Sequence, residues 1–187
     1  DPDVVPYCES HYGPDALGFD NYAEKIAQHC LNLMAKGNRD RALEIGCKVG
    51  RTTFELAAGF HHVTGVDATA RQIRIGVEMV DKGYTQWEIP KEGSIVDFRQ
   101  AHLSDLGLDQ SREKVEFLQA DLANMKERFK GYDLILLNGV LERSYDPAKF
   151  LADVHQRLND GGLLVIATNQ DWDGKHTPPD QWIGSYK

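Results

Sequence analysis

Cysteine is scarce in this chain and unpatterned: Cys8, Cys30 and Cys47 are odd in number, far apart and never in a Cys-x-x-Cys spacing. That argues against a disulfide framework and against zinc, so no metal is expected, and the setting is expected to be reducing and cytoplasmic. Long hydrophobic runs are missing as well. The longest, Leu163-Leu164-Val165-Ile166-Ala167, falls far short of a bilayer-spanning helix, and the acidic start Asp1-Pro2-Asp3 is no signal peptide. Nor is positive charge in excess: 29 acidic residues outnumber 21 Lys and Arg, giving a net charge of −8. A phosphate backbone or an anionic membrane rewards clustered basic side chains, so nucleic acid and membrane are poor partners. A cationic or zwitterionic small ligand fits better.

What is present is enough for one domain with a substantial core, at 187 residues. It is organised around Arg41-Ala42-Leu43-Glu44-Ile45-Gly46-Cys47-Lys48-Val49-Gly50-Arg51, followed by a helical pattern with Phe54, Ala57 and Ala58 on one face. The order is strand, tight turn, helix. Glycines at 46 and 50 allow a sharp turn with room for a ligand, and the helix start offers free N–H groups, so a nucleotide site is expected here. A dinucleotide fingerprint needs glycine at its third place, where Lys48 stands, and a phosphate-cradling loop needs a Gly-Lys-Ser/Thr ending that is absent.

Residues 1–19 read as an irregular flap carrying Tyr7, His11 and Tyr12. From 20 to 36 the pattern predicts a helix with Tyr22, Ala23, Ile26, Ala27, Cys30, Leu31, Leu33 and Met34 inward, stopped by Gly37. His61 to Asp67 is a short strand whose terminal carboxylate, about 20 residues beyond the first glycine, suits a ribose. His61 and His62 point to opposite faces of that strand and are read as structural. A helix over 69–82 turns Ile73, Val77 and Val80 inward. Residues 83–108 predict an inserted hairpin, with strands at 84–89 and 94–98 around Pro90-Lys91-Glu92-Gly93. Strands at 115–119, before Asp121, and 132–137, before Asn138-Gly139, then resume the alternation. A helix over 147–158 opens on Pro147, and Gly161-Gly162 turns into a fifth buried strand at 163–168. The fold class is therefore α/β, a mostly parallel sheet with helices on both faces, and its ligand belongs at the carboxyl ends of the strands. Glu44, Gly46, Asp67, Asp121 and Asn138 all fall at such ends.

The motif Glu44-x-Gly46-x-x-x-Gly50, with those strand-end residues, resembles class I S-adenosylmethionine-dependent methyltransferases, whose fold is Rossmann-like. A narrower resemblance rests on Gly46-Cys47-Lys48-Val49-Gly50-Arg51, His11-Tyr12-Gly13, Asp146-Pro147 with Phe150-Leu151, and Thr177-Pro178-Pro179-Asp180-Gln181-Trp182-Ile183-Gly184-Ser185-Tyr186. These are similar to the C-terminal methyltransferase domain of the ovothiol-biosynthesis enzymes, in which a 5-histidylcysteine sulfoxide synthase precedes a 5-thiohistidine N-methyltransferase. The chain departs from that family at Asp67-Ala68-Thr69, at Asn138 to Arg143 and at Thr168 to Trp172, all expected around the pocket. It also stops at Lys187, before the antiparallel strand pair that usually closes such folds.

The resemblance implies S-adenosylmethionine as cofactor, S-adenosylhomocysteine as product and a thiohistidine-like small-molecule acceptor. It also implies a sulfoxide synthase domain preceding residue 1 in a parent chain. Cofactor contacts are implied for Glu44, Gly46, Cys47, Gly50, Asp67, Ala68, Asp121, Leu122, Asn138 and Gly139. Asp67 would hold the ribose, Asp121 the adenine and the glycine turn the methionine portion. His11, Tyr12, Asn138 and Arg143 are the implied catalytic residues, with His11 as the better base. Tyr7, Arg143, Trp172 and Trp182 would contact the acceptor. Two alternatives stand beside this reading: a methyltransferase for another small molecule, and a non-catalytic domain that only binds the cofactor.

Overall fold

The structure, a computed structural model, describes residues 2–14 and 18–184. Five parallel strands make the central sheet: β1 (Arg41–Ile45), β2 (His62–Asp67), β5 (Val115–Gln119), β6 (Tyr132–Asn138) and β7 (Leu158–Ala167), in the order β5-β2-β1-β6-β7. The hairpin of β3 (Tyr84–Glu92) and β4 (Ile95–His102) is a separate antiparallel sheet. Helices α1 (Val5–Tyr12), α2 (Tyr22–Leu33), α3 (Arg51–Leu56), α4 (Ala70–Lys82) and α5 (Pro147–Asp153) complete the domain.

Alternation along the strands sorts the core into two. Ala42, Val63, Phe117, Leu134 and Leu136 pack with residues of α1 to α4 on one face. Leu43, Ile45, Val66, Ile135 and Leu137 pack with Leu122, Met125, Phe129 and the α5 residue Phe150 on the other. Both faces being covered, β6 is buried at every position, as its nearly continuous apolar sequence requires. Local chemistry fixes the helix ends. The Asn21 side chain accepts from the N–H groups of Ala23 and Glu24 to start α2, and Asp146 accepts from Lys149 where Pro147 opens α5.

Several expectations need correction. The lead segment is not irregular over its length: residues 5–12 are helical, and Val4, Cys8 and Tyr12 are core residues. Tyr22, Leu33, Ala58 and Val77 face outward, because each helix buries a narrower stripe than its apolar content suggested. The hairpin strands are longer than expected, and Pro90 lies inside β3 at a register irregularity rather than in the turn. The helix opened by Pro147 ends at Asp153 and gives way to a 3-10 turn at Val154–Arg157. The Gly161-Gly162 pair lies within β7, which starts early, and as one of the sheet's two edge strands β7 is half-exposed rather than buried. Ser185 and Tyr186 of the tail motif lie outside the described residues.

The hairpin is anchored through Trp87, whose indole N–H donates to Glu9 of α1 at 2.8 Å. Among the described residues, no helix is long and apolar enough to cross a membrane.

Candidate active site

At the carboxyl ends of β1, β2, β5 and β6 lies a cavity of about 620 Å³, in the usual range for a small-molecule site. Gly46 and Lys48 reach it from the turn after β1, Asp67, Ala68 and Thr69 from the end of β2, and Asp121 and Leu122 from beyond β5. Gly139 and Arg143 follow β6 into it, and Tyr7 enters from α1. A second cavity, about 730 Å³, lies between α1, α4 and the hairpin and shares no residue with the first. No strand of the central sheet reaches that one, so the first is the candidate site.

The turn between β1 and α3 works differently from what its glycines suggested. Its N–H groups are largely used within the protein: Val66 O accepts from Gly46 and Cys47, Cys47 O accepts from Gly50, and Asp67 Oδ2 accepts from Lys48 at 3.1 Å. The glycines are required by packing. A Cβ at Gly46 would strike Val140 and the Asn138 carbonyl, and one at Gly50 would lie 2.6 Å from the Phe117 ring. Both have positive φ, of 88° and 93°. Gly50 and Cys47 do not line the cavity, and Cys47 is wholly buried with its thiol pushed well up by burial.

Asp67 is 9 % exposed, and its second oxygen accepts from the Thr69 N–H at 2.9 Å. The carboxylate thus ties the turn to the start of α4, while its remaining lone pairs are available to hydroxyl donors. Asp121 is exposed and caps a short 3-10 turn through the Ala123 N–H.

Glu44 and Asn138 sit beneath the cavity rather than on its wall. Glu44 is fully buried, accepting from Thr53 Oγ1 at 2.6 Å and from Asn138 Nδ2 at 2.9 Å. Burial raises its pKa, and those two hydrogen bonds oppose the rise. Asn138 Oδ1 in turn accepts from the Tyr22 hydroxyl at 3.1 Å. Glu44 therefore orients Asn138 and is not itself exposed to a ligand.

The expected catalytic and acceptor residues divide. Tyr7 and Arg143 do line the cavity, Arg143 being half-exposed with Asp171 3.9 Å away. His11 and Tyr12 do not. Tyr12 donates its hydroxyl to the Val49 carbonyl at 3.0 Å and is buried, which makes it a tether for the turn. Burial first, then Lys48 and Arg51, pull the His11 imidazole down to about 3, so it is neutral and too weak a base for the expected role. Trp172 and Trp182 stack on each other, centroids 6.5 Å apart, away from the cavity, and the Trp182 N–H donates to Thr177 O.

Sequence reasoning missed Tyr22, read as an inward apolar residue, and Lys48, which excluded a dinucleotide and stood within the turn motif without being given a contact. It also missed Gln72, Glu142 and His176, which line the same cavity. Glu142 is 2 % exposed, with Oε1 accepting from the Asn169 N–H and no partner for Oε2 among the described residues. Among those residues, no cluster of three or more His, Cys, Asp or Glu could hold a metal.

A family model described as a methyltransferase domain matches residues 19–184. A malonyl-[acyl-carrier protein] O-methyltransferase of Halalkalibacterium halodurans is 25% identical over 172 residues, 86% of this chain and 54% of that protein. The chain thus spans about half the length of this curated relative. Among solved structures, a TehB-like SAM-dependent methyltransferase of Corynebacterium glutamicum superposes with a TM-score of 0.56 at 20% identity, over 89% of this chain and 73% of that one. A glycopeptide N-methyltransferase complexed with sinefungin gives 0.55 at 14% identity, over 82% of this chain and 51% of that one. With the family model running across nearly the whole chain, and a parallel sheet whose strand ends meet in one cavity, the chain belongs to the methyltransferase domain family and has its Rossmann-like fold.

Proposed function

We propose that the domain transfers the S-adenosylmethionine methyl group to a nitrogen of a small acceptor, with the ring nitrogen of 5-thiohistidine as the first candidate. The observation that carries the cofactor half is the pair of carboxylates, Asp67 and Asp121, presented from the ends of neighbouring strands into one cavity beside the Gly46–Lys48 turn. Asp67 takes the ribose hydroxyls, Asp121 and Leu122 the adenine, and Gly46 the methionine portion.

The transfer is an in-line displacement. The nitrogen lone pair forms the new N–C bond, and the C–S bond breaks with its electrons passing to sulfur, leaving S-adenosylhomocysteine. No covalent nucleophile is needed, so placing the two reactants and excluding water supply most of the rate. The acceptor enters on the side of Tyr7, Gly139 and Arg143, and among the described residues the Arg143 guanidinium and the Lys48 ammonium are the two cations that line the cavity to meet its carboxylate.

The thiohistidine acceptor is supported by the loop, helix and tail motifs alone. A sulfoxide synthase partner in a parent chain follows from the same resemblance, and the reducing, cytoplasmic setting expected from the cysteine pattern is supported by the three cysteines, all free and buried. A second reading, transfer to an acceptor other than thiohistidine, is supported by the relatives, whose names specify malonyl-acyl-carrier protein and glycopeptide substrates.

Calorimetric titration with S-adenosylhomocysteine, repeated with 5-thiohistidine present, tests both halves. Cofactor binding strengthened by the amino acid is expected, and when S-adenosylmethionine replaces the homocysteine form, methyl is expected on the ring nitrogen by mass spectrometry and NMR. Cofactor binding indifferent to thiohistidine redirects the acceptor to the second reading. A folded chain that binds no cofactor overturns the site.

A further inference from the structure

Lys48 occupies a position that chemistry would give to glycine. Its φ is +52°, left-handed backbone that costs a residue with a side chain about 1 kcal/mol. The side chain it carries lines the cavity and is half-buried. Of its three ammonium donors, one reaches the Asn138 carbonyl at a long 3.5 Å. Among the described residues it has no carboxylate within ion-pairing distance, although Asp67, Asp121 and Glu142 share the cavity. Its own backbone N–H is what binds Asp67, at 3.1 Å, so the turn is held without the side chain.

A half-buried ammonium with unused donors attracts an anion. It also opposes a sulfonium, and so weakens cofactor binding unless an anion arrives with the ligand. Resting on the methyltransferase reading above, we propose that Lys48 is the carboxylate anchor of this site, pairing its ammonium with a ligand carboxylate that lies against the Asn138–Gly139 end of β6. The carboxylate comes from one of two sources, the amino-acid end of the cofactor or the acceptor. Lys48 is a positioning residue, and strained backbone at this position is tolerated for the charge it delivers.

Lys48→Gly tests this without endangering the fold, because glycine relaxes the left-handed backbone and retains the N–H to Asp67. Wild type and variant are titrated with S-adenosylhomocysteine and with 5′-methylthioadenosine, which shares the nucleoside but lacks the amino acid. If the cofactor supplies the carboxylate, the variant loses about 10- to 100-fold in affinity for the first and keeps the second. If the acceptor supplies it, both nucleosides bind as before. The variant saturated with S-adenosylhomocysteine then loses affinity for 5-thiohistidine, but not for its decarboxylated amine. Lys48→Arg restores most of whichever loss is seen.

Equal weakening of both nucleosides overturns the proposal, since Lys48 would then be shaping the turn. Unchanged binding of every probe overturns it too. A wild-type chain that binds neither nucleoside is a different failure, that of the cofactor reading on which the anchor depends, and it removes both.

Discussion

The Tyr22 hydroxyl on α2 donates to Oδ1 of Asn138 at the end of β6, 3.1 Å away. The same amide donates through Nδ2 to Glu44, which also takes the Thr53 hydroxyl. Four residues from four elements thus form one network beneath the cavity that converges on the Glu44 carboxylate, and each has the polarity its neighbour needs.

Asn138→Asp inverts that polarity by setting a second carboxylate against buried Glu44. Destabilisation of about 3 kcal/mol or more is expected at pH 7. Part of it is recovered near pH 5, where one proton shared between the acids relieves the repulsion. Tyr22→Phe, losing one half-exposed hydrogen bond, should stay within about 1 kcal/mol. Urea unfolding of both variants at the two pH values checks this, and an Asn138→Asp chain as stable as wild type at pH 7 would refute the arrangement.

Asp67 and Asp121 differ in burial, and their variants should differ in kind. Asp67→Ala frees the Lys48 and Thr69 N–H groups as well as removing an acceptor for ligand, so S-adenosylhomocysteine affinity should fall about 100-fold or more, with a lower Tm. Asp121→Ala touches an exposed side chain and should cost about tenfold or less, with Tm nearly unchanged. Calorimetry and thermal melts of the pair decide it. Equal losses would remove the distinction between the two carboxylates.

His11 makes the fold acid-sensitive. Its folded pKa is lowered to about 3, whereas in an unfolded chain it sits near 6.5, so the unfolded state binds the extra proton between those values. The stability it contributes is complete above about pH 6.5 and is lost as pH falls towards 3, with a limiting slope of about 1.4 kcal/mol per pH unit. His11→Asn should flatten the stability profile between pH 6.5 and 4.5 while leaving the pH dependence of methyl transfer unaltered. Parallel stability profiles for the two proteins would contradict the neutral, buried assignment.

Phe117 is enclosed by three glycines: a Cβ at Gly50, Gly65 or Gly76 would lie 2.6, 2.9 or 2.9 Å from its ring. Gly76→Ala ought to help α4 by about 1 kcal/mol on propensity alone. Overpacking against the ring should outweigh that, for a net loss of about 1–2 kcal/mol. Phe117→Leu in the same chain should recover part of the loss, so the double-mutant cycle has a favourable coupling. Additive effects would mean that the ring can move aside.

Asp133 holds the β1 and β6 starts together, accepting from the Asp40 and Arg41 N–H groups and from Asn38 and Asn159. Burial pushes its pKa up, but these four donors outweigh it and hold the carboxyl below its usual value. Its contribution is therefore present above about pH 4 and fades as pH falls through the lowered value. Asp133→Ala should cost about 2–4 kcal/mol at pH 7, with the difference from wild type shrinking in acid, measured by urea unfolding.

What was legible in the sequence was whatever a period expresses. The apolar run of β6 follows the strand repeat, and Asp67 closing β2 and Asp121 just beyond β5 stand where such runs stop, which is why the sheet and the two acids could be placed. Residues whose role depends on a distant partner were not legible. Tyr22 looks like one more apolar position of α2 until Asn138 lies beside it, and His11 looks like a base until burial and two cations surround it. Lys48 gives no sign of positive φ, because the conformation is set by the Asp67 and Val66 contacts on another strand. The edge position of β7 likewise depends on strand order, which a linear pattern does not carry.

The tether from Tyr12 to the Val49 carbonyl joins the leading helix and the turn in one equilibrium. Undocking α1 strips the turn of a hydrogen bond, and any ligand that favours the turn's present shape must hold α1 down by the same free energy, RT ln(1 + [L]/Kd) when binding requires the docked form. Amide exchange at residues 8–12, on a helix only one of whose side chains lines the cavity, is accordingly a remote gauge of occupancy: protection there should rise with nucleoside concentration, and it should stop doing so in Tyr12→Phe.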